Sequence, residues 1–267
     1  MGTHKTLGFT VIETMLFLSI TGMLIAGLLI GTSASINNQR YNDAVETFKE
    51  MLQNQYAELG AVRNDRANTY GCVVNGTTVS VKNDGKQIRG QSDCVITGRY
   101  MVINGPTVTV RSVLASKNTS ASGTTDIARL KSGYAYGLMD DISTDTLQWG
   151  TSFKGPERGL GADPALTKIA LLFLRSPETG KIYTFSANTP SDTVSSTTIT
   201  NMINANDATP GQGARTLCLE SDGLFVGGAM GIYLNARAAG SSAVEVRSDD
   251  MSKQLDGTGA AQCEKKQ

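Results

Sequence analysis

Glu13 stands at the entrance to a run of uncharged residues, and its placement asks for chemistry before any other side chain does. From Thr14 to Ile36 there is no Asp, Glu, Lys or Arg. A carboxylate at the edge of such a run is costly in lipid, so a chain that keeps one there needs an opposite charge to meet it. Other reactive groups are few. His4 is the only histidine, which leaves the rest of the chain without the commonest general base and soft-site ligand. The four cysteines, Cys72, Cys94, Cys218 and Cys263, stand in no C-x-x-C spacing, which disfavours zinc. Four cysteines allow three pairings, and spacing alone does not choose among them. The expected pairing is Cys72 with Cys94 and Cys218 with Cys263, because each closes a local loop and the second pins the C-terminal tail. No Gly-x-Ser-x-Gly, P-loop or dinucleotide glycine pattern is present. A cysteine nucleophile would lack its histidine partner. The sequence points away from an enzyme, and it implies no cofactor.

Three further groups invite a reading. Asp140, Asp141 and Asp145 cluster in a stretch read as loop. Close carboxylates suit calcium, but the EF-hand spacing is incomplete, so a solvated acidic turn is expected and no metal site is assigned. Trp149 with Phe153, and Tyr134 with Tyr136, are expected in the core, with an aromatic surface for a partner as the alternative. Arg63, Arg66 and Arg158 are scattered and read as a solvated face. Lys+Arg and Asp+Glu number 24 each, so no global field draws nucleic acid or anionic lipid.

These residues depend on a small set of elements. The uncharged run, at ~1.5 Å of helical rise per residue, reaches roughly 34 Å, enough to cross a hydrocarbon core about 30 Å thick. Met1 to Gly8 carries Lys5 and His4 and no acid. Positive charge before a span holds that end inside and exports the rest. No small-residue cleavage site follows the run, since Ser33-Ala34-Ser35 leads into a helix-periodic segment. A cut that keeps the span belongs at Gly8/Phe9. Beyond the span, Ile36, Tyr41, Val45, Phe48, Leu52, Tyr56 and Leu59 recur at spacings of three to five, one stripe of a helix that needs a sheet to cover it. Gly60 is the first stop signal. The expected helix covers 9–62, membrane-spanning over 9–31 and amphipathic over 32–62.

The remainder, 63–267, reads as a β-rich domain. Charged residues make up 18% and glycines number 29, a composition that suits an exported β fold. Asn68 to Gly71 reads as loop. Cys72–Val74 and Thr77–Val81 around Asn75-Gly76 predict a hairpin with a type I′ turn. Val95–Ile103 with Thr107–Leu114, and Ile169–Leu174 with Ile182–Phe185, predict two more. Leu217–Glu220, Gly231–Leu234 and Ala243–Arg247 are later strands. Residues 115–125 and 186–213, rich in Ser, Thr, Asn and Gly, are expected to be loops. The fold class is α+β: a long N-terminal helix packed on an antiparallel β-rich domain.

Gly8-Phe9-Thr10-Val11-Ile12-Glu13 followed by an unbroken apolar helix resembles the class III signal of type IV pilins and type II secretion pseudopilins, over residues 1 to about 60. The resemblance implies cleavage after Gly8 by a membrane prepilin peptidase and N-methylation of Phe9. It implies that Glu13, with Thr10 in the same motif, serves assembly by meeting the amine of a neighbouring subunit. Many pilins have proline at the position of Ile30, and here Gly22, Gly27 and Gly31 are expected to supply flexibility instead. Leu217 to Gly228, with Gly231–Leu234 and Ala243–Arg247, is similar to the C-terminal sheet of H-type minor pseudopilins. Some of those relatives bind DNA through arginines near the C-terminus, but no Gly-Arg pair follows Arg247 here.

The expected function is structural: a subunit, minor rather than shaft-forming, of a pilus-like filament. Its implied partners are other pilin subunits, the prepilin peptidase, an inner-membrane assembly platform and, before assembly, the membrane itself. The expected location is the cytoplasmic membrane, crossed once with the N-terminus inside, and then an extracellular or periplasmic filament. Two competing functions are a tip module that captures DNA or a surface, and a membrane-anchored domain that never polymerises.

Overall fold

The apolar run and the stripe behind it form one α-helix, α1 (Val11–Gly60), of 50 residues and about 75 Å. The computed structural model describes residues 10–61, 70–75, 78–83, 92, 94–117, 123–157, 162–191, 194–207, 215–221, 230–235, 240–248 and 263. The helix is unbroken through Ile30. Its second half buries Tyr41, Ala44, Val45, Phe48, Leu52, Gln55, Tyr56 and Leu59, one stripe at steps of three and four. Ile36, expected to begin that stripe, is instead 46% exposed, because the body starts to cover the helix only at Tyr41.

The covering layers are two sheets. The strands of the first are β1 (Tyr70–Asn75), β2 (Thr78–Asn83), β3 (Cys94–Asn104), β4 (Thr107–Lys117), β5 (Tyr134–Leu138), β6 (Ser143–Thr146), β8 (Lys168–Arg175) and β9 (Ile182–Ala187). The second contains β7 (Thr151–Lys154), β10 (Arg215–Ser221), β11 (Met230–Leu234) and β12 (Val244–Ser248). Their orders are β1-β2-β5-β4-β3-β8-β9, with β6 alongside β4, and β12-β11-β10-β7. Among the described residues every pair is antiparallel except β2 with β5. That contact is close: a Cβ on Gly137 would run into the Val79 carbonyl oxygen, so β5 needs glycine there.

The first sheet is buried on both faces, which explains why β8 reads as continuous apolar sequence. Ile169, Leu171 and Phe173 join Met101, Ile103, Val108 and the α1 stripe in one cluster, which also takes in Phe153, Leu217, Leu219, Ile232, Leu234 and Val244 of the second sheet. Ala170, Leu172 and Leu174 point the other way, against Leu130 of α2 (Asp126–Ser132) and Ile199, Met202 and Ile203 of α3 (Ser196–Asp207). The β3–β4 register shifts between Ile96 and Gly98. Thr97 is the extra residue, and the bulge reverses which parity of β3 faces α1. Cys94 and Ile96 thereby stay with Cys72, Val79 and Leu114 in a third, smaller cluster.

Several expectations need correction. Residues 186–213 are not simply loop: β9 runs to Ala187 and α3 occupies Ser196–Asp207. Ser, Thr and Asn favour turns in isolation, but Ile199, Met202 and Ile203 form a short stripe that the sheet covers, and packing overrides propensity. Likewise β4 extends to Lys117 within the stretch 115–125. Tyr70 and Gly71 belong to β1 rather than a loop, since β2 pairs with them. Asn75 pairs with Thr78, so the two connecting residues are Gly76 and Thr77, one place later than expected, and both lie outside the described residues.

Candidate functional site

The surface that sets this molecule apart is the first half of α1. Thr10 is its N-cap at φ −78° and ψ 152°, and its Oγ1 accepts a hydrogen bond from the Glu13 backbone N–H at 3.3 Å. Thr10-Val11-Ile12-Glu13 is a capping-box spacing, a signal that the sequence reading passed over. The Glu13 carboxylate also lies in the first turn, where the positive end of the helix dipole favours it. The structure thus brings Thr10 and Glu13 together. Gly8 and Phe9 lie outside the described residues, as do the leader, Arg63, Arg66, Arg158 and the tail after Cys263.

No residue of α1 before Tyr41 is buried, and the stretch Val11–Ile36, about 39 Å, projects from the body. Leu16, Phe17, Leu18, Leu24, Leu28, Leu29 and Ile30 are exposed, and Met23 reaches 80%. This helix is long and apolar enough to cross a membrane. Three of its threonine hydroxyls are turned inward on the backbone: Thr14 donates to the Val11 carbonyl at 2.9 Å, Thr32 to the Leu28 carbonyl at 2.9 Å, and Thr21 to the Phe17 carbonyl. Such back-bonding keeps polar atoms satisfied where no water is present. A Cβ on Gly22, Gly27 or Gly31 would meet nothing within 4 Å. Each glycine costs about 1 kcal/mol against alanine in a helix interior, and no contact among the described residues offsets that. Gly27-x-x-x-Gly31 is the spacing at which apolar helices approach one another closely, a second signal present in the sequence and overlooked.

At Tyr41 the helix enters the body. The Tyr41 hydroxyl accepts from the Met230 N–H at 3.0 Å and lies 3.1 Å from the Leu219 carbonyl oxygen, fastening α1 to the β10 and β11 ends. One turn away, Trp149 sits in the 3-10 turn Gln148–Gly150 with a left-handed φ of 57°. Its indole N–H donates to Asp43 Oδ2 at 2.9 Å, and the Arg40 guanidinium carbon lies 5.0 Å from the ring centroid. Further up, the Tyr56 hydroxyl shares a 2.6 Å hydrogen bond with Thr184, and its ring meets Phe173 edge-on at 5.0 Å. Burial pushes this phenol up to about 12, against the lowering effect of the Thr184 bond.

The other candidates are structural. Asp141 accepts from the Ser112 N–H at 3.0 Å and from the Ser112 hydroxyl, and lies 3.8 Å from Arg99. Arg99 also pairs with Glu58 of α1 at 3.0 Å, and Asp140 meets Arg111 at 3.4 Å. Asp145 lies in β6. Asp141 thus joins a charged seam through Arg99 to Glu58 of α1, while all three aspartates remain exposed to solvent and Asp145 stands in a strand rather than a loop. Phe153 and Tyr136 are core, Tyr134 is half-buried and Trp149 is exposed. Disulfides join Cys72 to Cys94 and Cys218 to Cys263, with Cα atoms 6.0 and 5.5 Å apart. A shallow depression of about 500 Å³ beside Trp149 is lined by Gly105, Pro106, Leu147, Phe153 and Glu220 among others. Among the described residues no three His, Cys, Asp or Glu side chains gather as metal ligands. No family model, curated protein or solved structure matches this chain.

Proposed function

We propose that this chain is a structural subunit, minor rather than shaft-forming, of a type IV pilus-like filament and acts by assembly rather than catalysis. A prepilin peptidase cuts after Gly8 and the Phe9 amine is methylated. Before assembly the subunit is held in the cytoplasmic membrane by the first half of α1, N-terminus inside and β-rich body outside. An assembly platform then lifts it into a filament that grows head to tail, one helix surface meeting a different surface on the next subunit. The observation that carries this reading is the division of α1: one half fixed between two sheets, the other half apolar and uncovered. Burying that half among neighbouring helices supplies cohesion, at ~25 cal/mol per Å² of apolar area. Gly27 and Gly31 support close helix approach. Glu13 sets register by meeting a neighbour's amine, an attraction that strengthens in low dielectric.

Two substitutions test it. Gly8→Ala should leave the chain at its unprocessed mass in membranes. Glu13→Gln keeps a capping-box residue and removes the charge, so it separates charge pairing from helix capping. The expected result is normal membrane insertion with loss of the protein from sheared surface fibres. Assembly by Glu13→Gln at the native level would refute the charge-pairing role and favour a membrane-anchored domain whose glutamate serves only the helix start.

A further inference from the structure

Trp149 is the only tryptophan in the chain, and its contacts with Arg40 and Asp43 leave much of the ring exposed. It holds a left-handed backbone at φ 57°, a region unfavourable to a non-glycine residue, yet remains 48% exposed. The turn carrying it is firmly mounted: the Leu147 N–H donates to the Pro106 carbonyl at 2.8 Å and the Phe153 N–H to the Gly105 carbonyl at 2.8 Å. The ring is therefore presented rather than left loose. Its place along α1 is specific. Arg40 is the first charged residue after Glu13, 27 residues and about 40 Å along the axis, so with Glu13 at one face of a hydrocarbon core about 30 Å thick it stands about 10 Å beyond the other face. The headgroup layer outside the hydrocarbon is roughly 5–8 Å thick on each side. Trp149, over Arg40 and bonded to Asp43, thus stands at the outer edge of that layer when α1 crosses a bilayer. An indole with one polar edge is the side chain that partitions there, and a guanidinium beside it suits lipid phosphate.

We infer that Trp149, seated over Arg40, is the contact between the body and the membrane surface, and that its partner is the phosphate headgroup layer of a phospholipid bilayer. The contact rests on the membrane-spanning reading of α1 and fixes how far the body stands from the lipid before assembly. The test uses the full chain reconstituted into phosphatidylcholine–phosphatidylglycerol vesicles, with Trp149 as its own fluorophore. Flotation on a density gradient first reports whether α1 inserts. The floated protein is then compared in vesicles carrying a nitroxide near the headgroup and in vesicles carrying it at the acyl-chain end. The expected result is loss of Trp149 emission with the shallow label, little loss with the deep one, and reduced quenching by aqueous iodide relative to the chain in detergent. Arg40→Gln should weaken the shallow quenching. A protein that floats but keeps its emission with both labels overturns this inference alone and leaves the ring for contact with another subunit. A protein that does not float overturns the membrane reading and this inference with it.

Discussion

Asp126 accepts hydrogen bonds from three side chains among the described residues, and it is not one of the reactive residues singled out from the sequence. Its carboxylate accepts from Ser176 at 3.2 Å, from Tyr183 at 3.1 Å and from Thr179. It opens α2, which Thr125 caps, so one side chain ties that helix to the β8–β9 hairpin. The Thr179 hydrogen bond, ahead of those from Tyr183 and Ser176, holds this carboxyl below the usual carboxylate range despite some loss of solvent. A folded-state value lower than the unfolded one means that the stabilisation is present above the unfolded value of 3.8 and is lost as pH falls through the folded one. Asp126→Asn should therefore lower the thermal midpoint at neutral pH, with the gap to the native chain closing as the solution is acidified below the ordinary carboxylate range. Melting curves across that range check it, and a gap that stays constant into acid would remove the electrostatic account. No sequence signal marks Asp126, because its partners lie fifty or more residues away and only the folded hairpin delivers them.

At the scale of elements, strands were easier to read than helices. β3, β4, β8 and β9 were legible because alternating or continuous apolar runs end at turn residues. Gly105 at φ 54° and Gly180 at φ 73° adopt the positive φ that such turns demand. α3 was hidden because its buried stripe is three residues long in a polar stretch, and β6 because Ser143–Thr146 is wholly exposed and held only by pairing with β4. The disulfides act at this scale too. Cys218–Cys263 spans 45 residues and Cys72–Cys94 spans 22. Loop-closure entropy assigns them about 4 and about 3 kcal/mol, so the double serine replacement of the first pair should cost more stability. Denaturant unfolding of the two variants checks the order. Gly231 belongs to the same device, since a Cβ there would stand 2.5 Å from Cys263 Sγ.

For the whole molecule, the decisive quantity is how little the projecting half of α1 owes to the body. Burial begins at Tyr41, so a chain started at Asn38 loses no core residue. It should be monomeric without detergent and melt at the same temperature as the full chain in detergent. Light scattering and circular dichroism measure both, and a lowered midpoint would mean that the apolar half supports the fold. What the sequence by itself determined was whatever depends on neighbours along the chain: the length and continuity of α1, its two faces, the break at Gly60, most strand positions, and the absence of histidine beyond His4. Local spacing carries that information, since a helix repeats every ~3.6 residues and a strand every two. Only the tertiary structure decided that β2 runs parallel to β5, that α1 lies between two sheets, that Arg99 joins Glu58 to Asp141, and that Trp149 meets Arg40 and Asp43 where the helix leaves the body. Those contacts unite residues tens to more than a hundred positions apart, and their partners are chosen by packing in space, which no periodicity encodes.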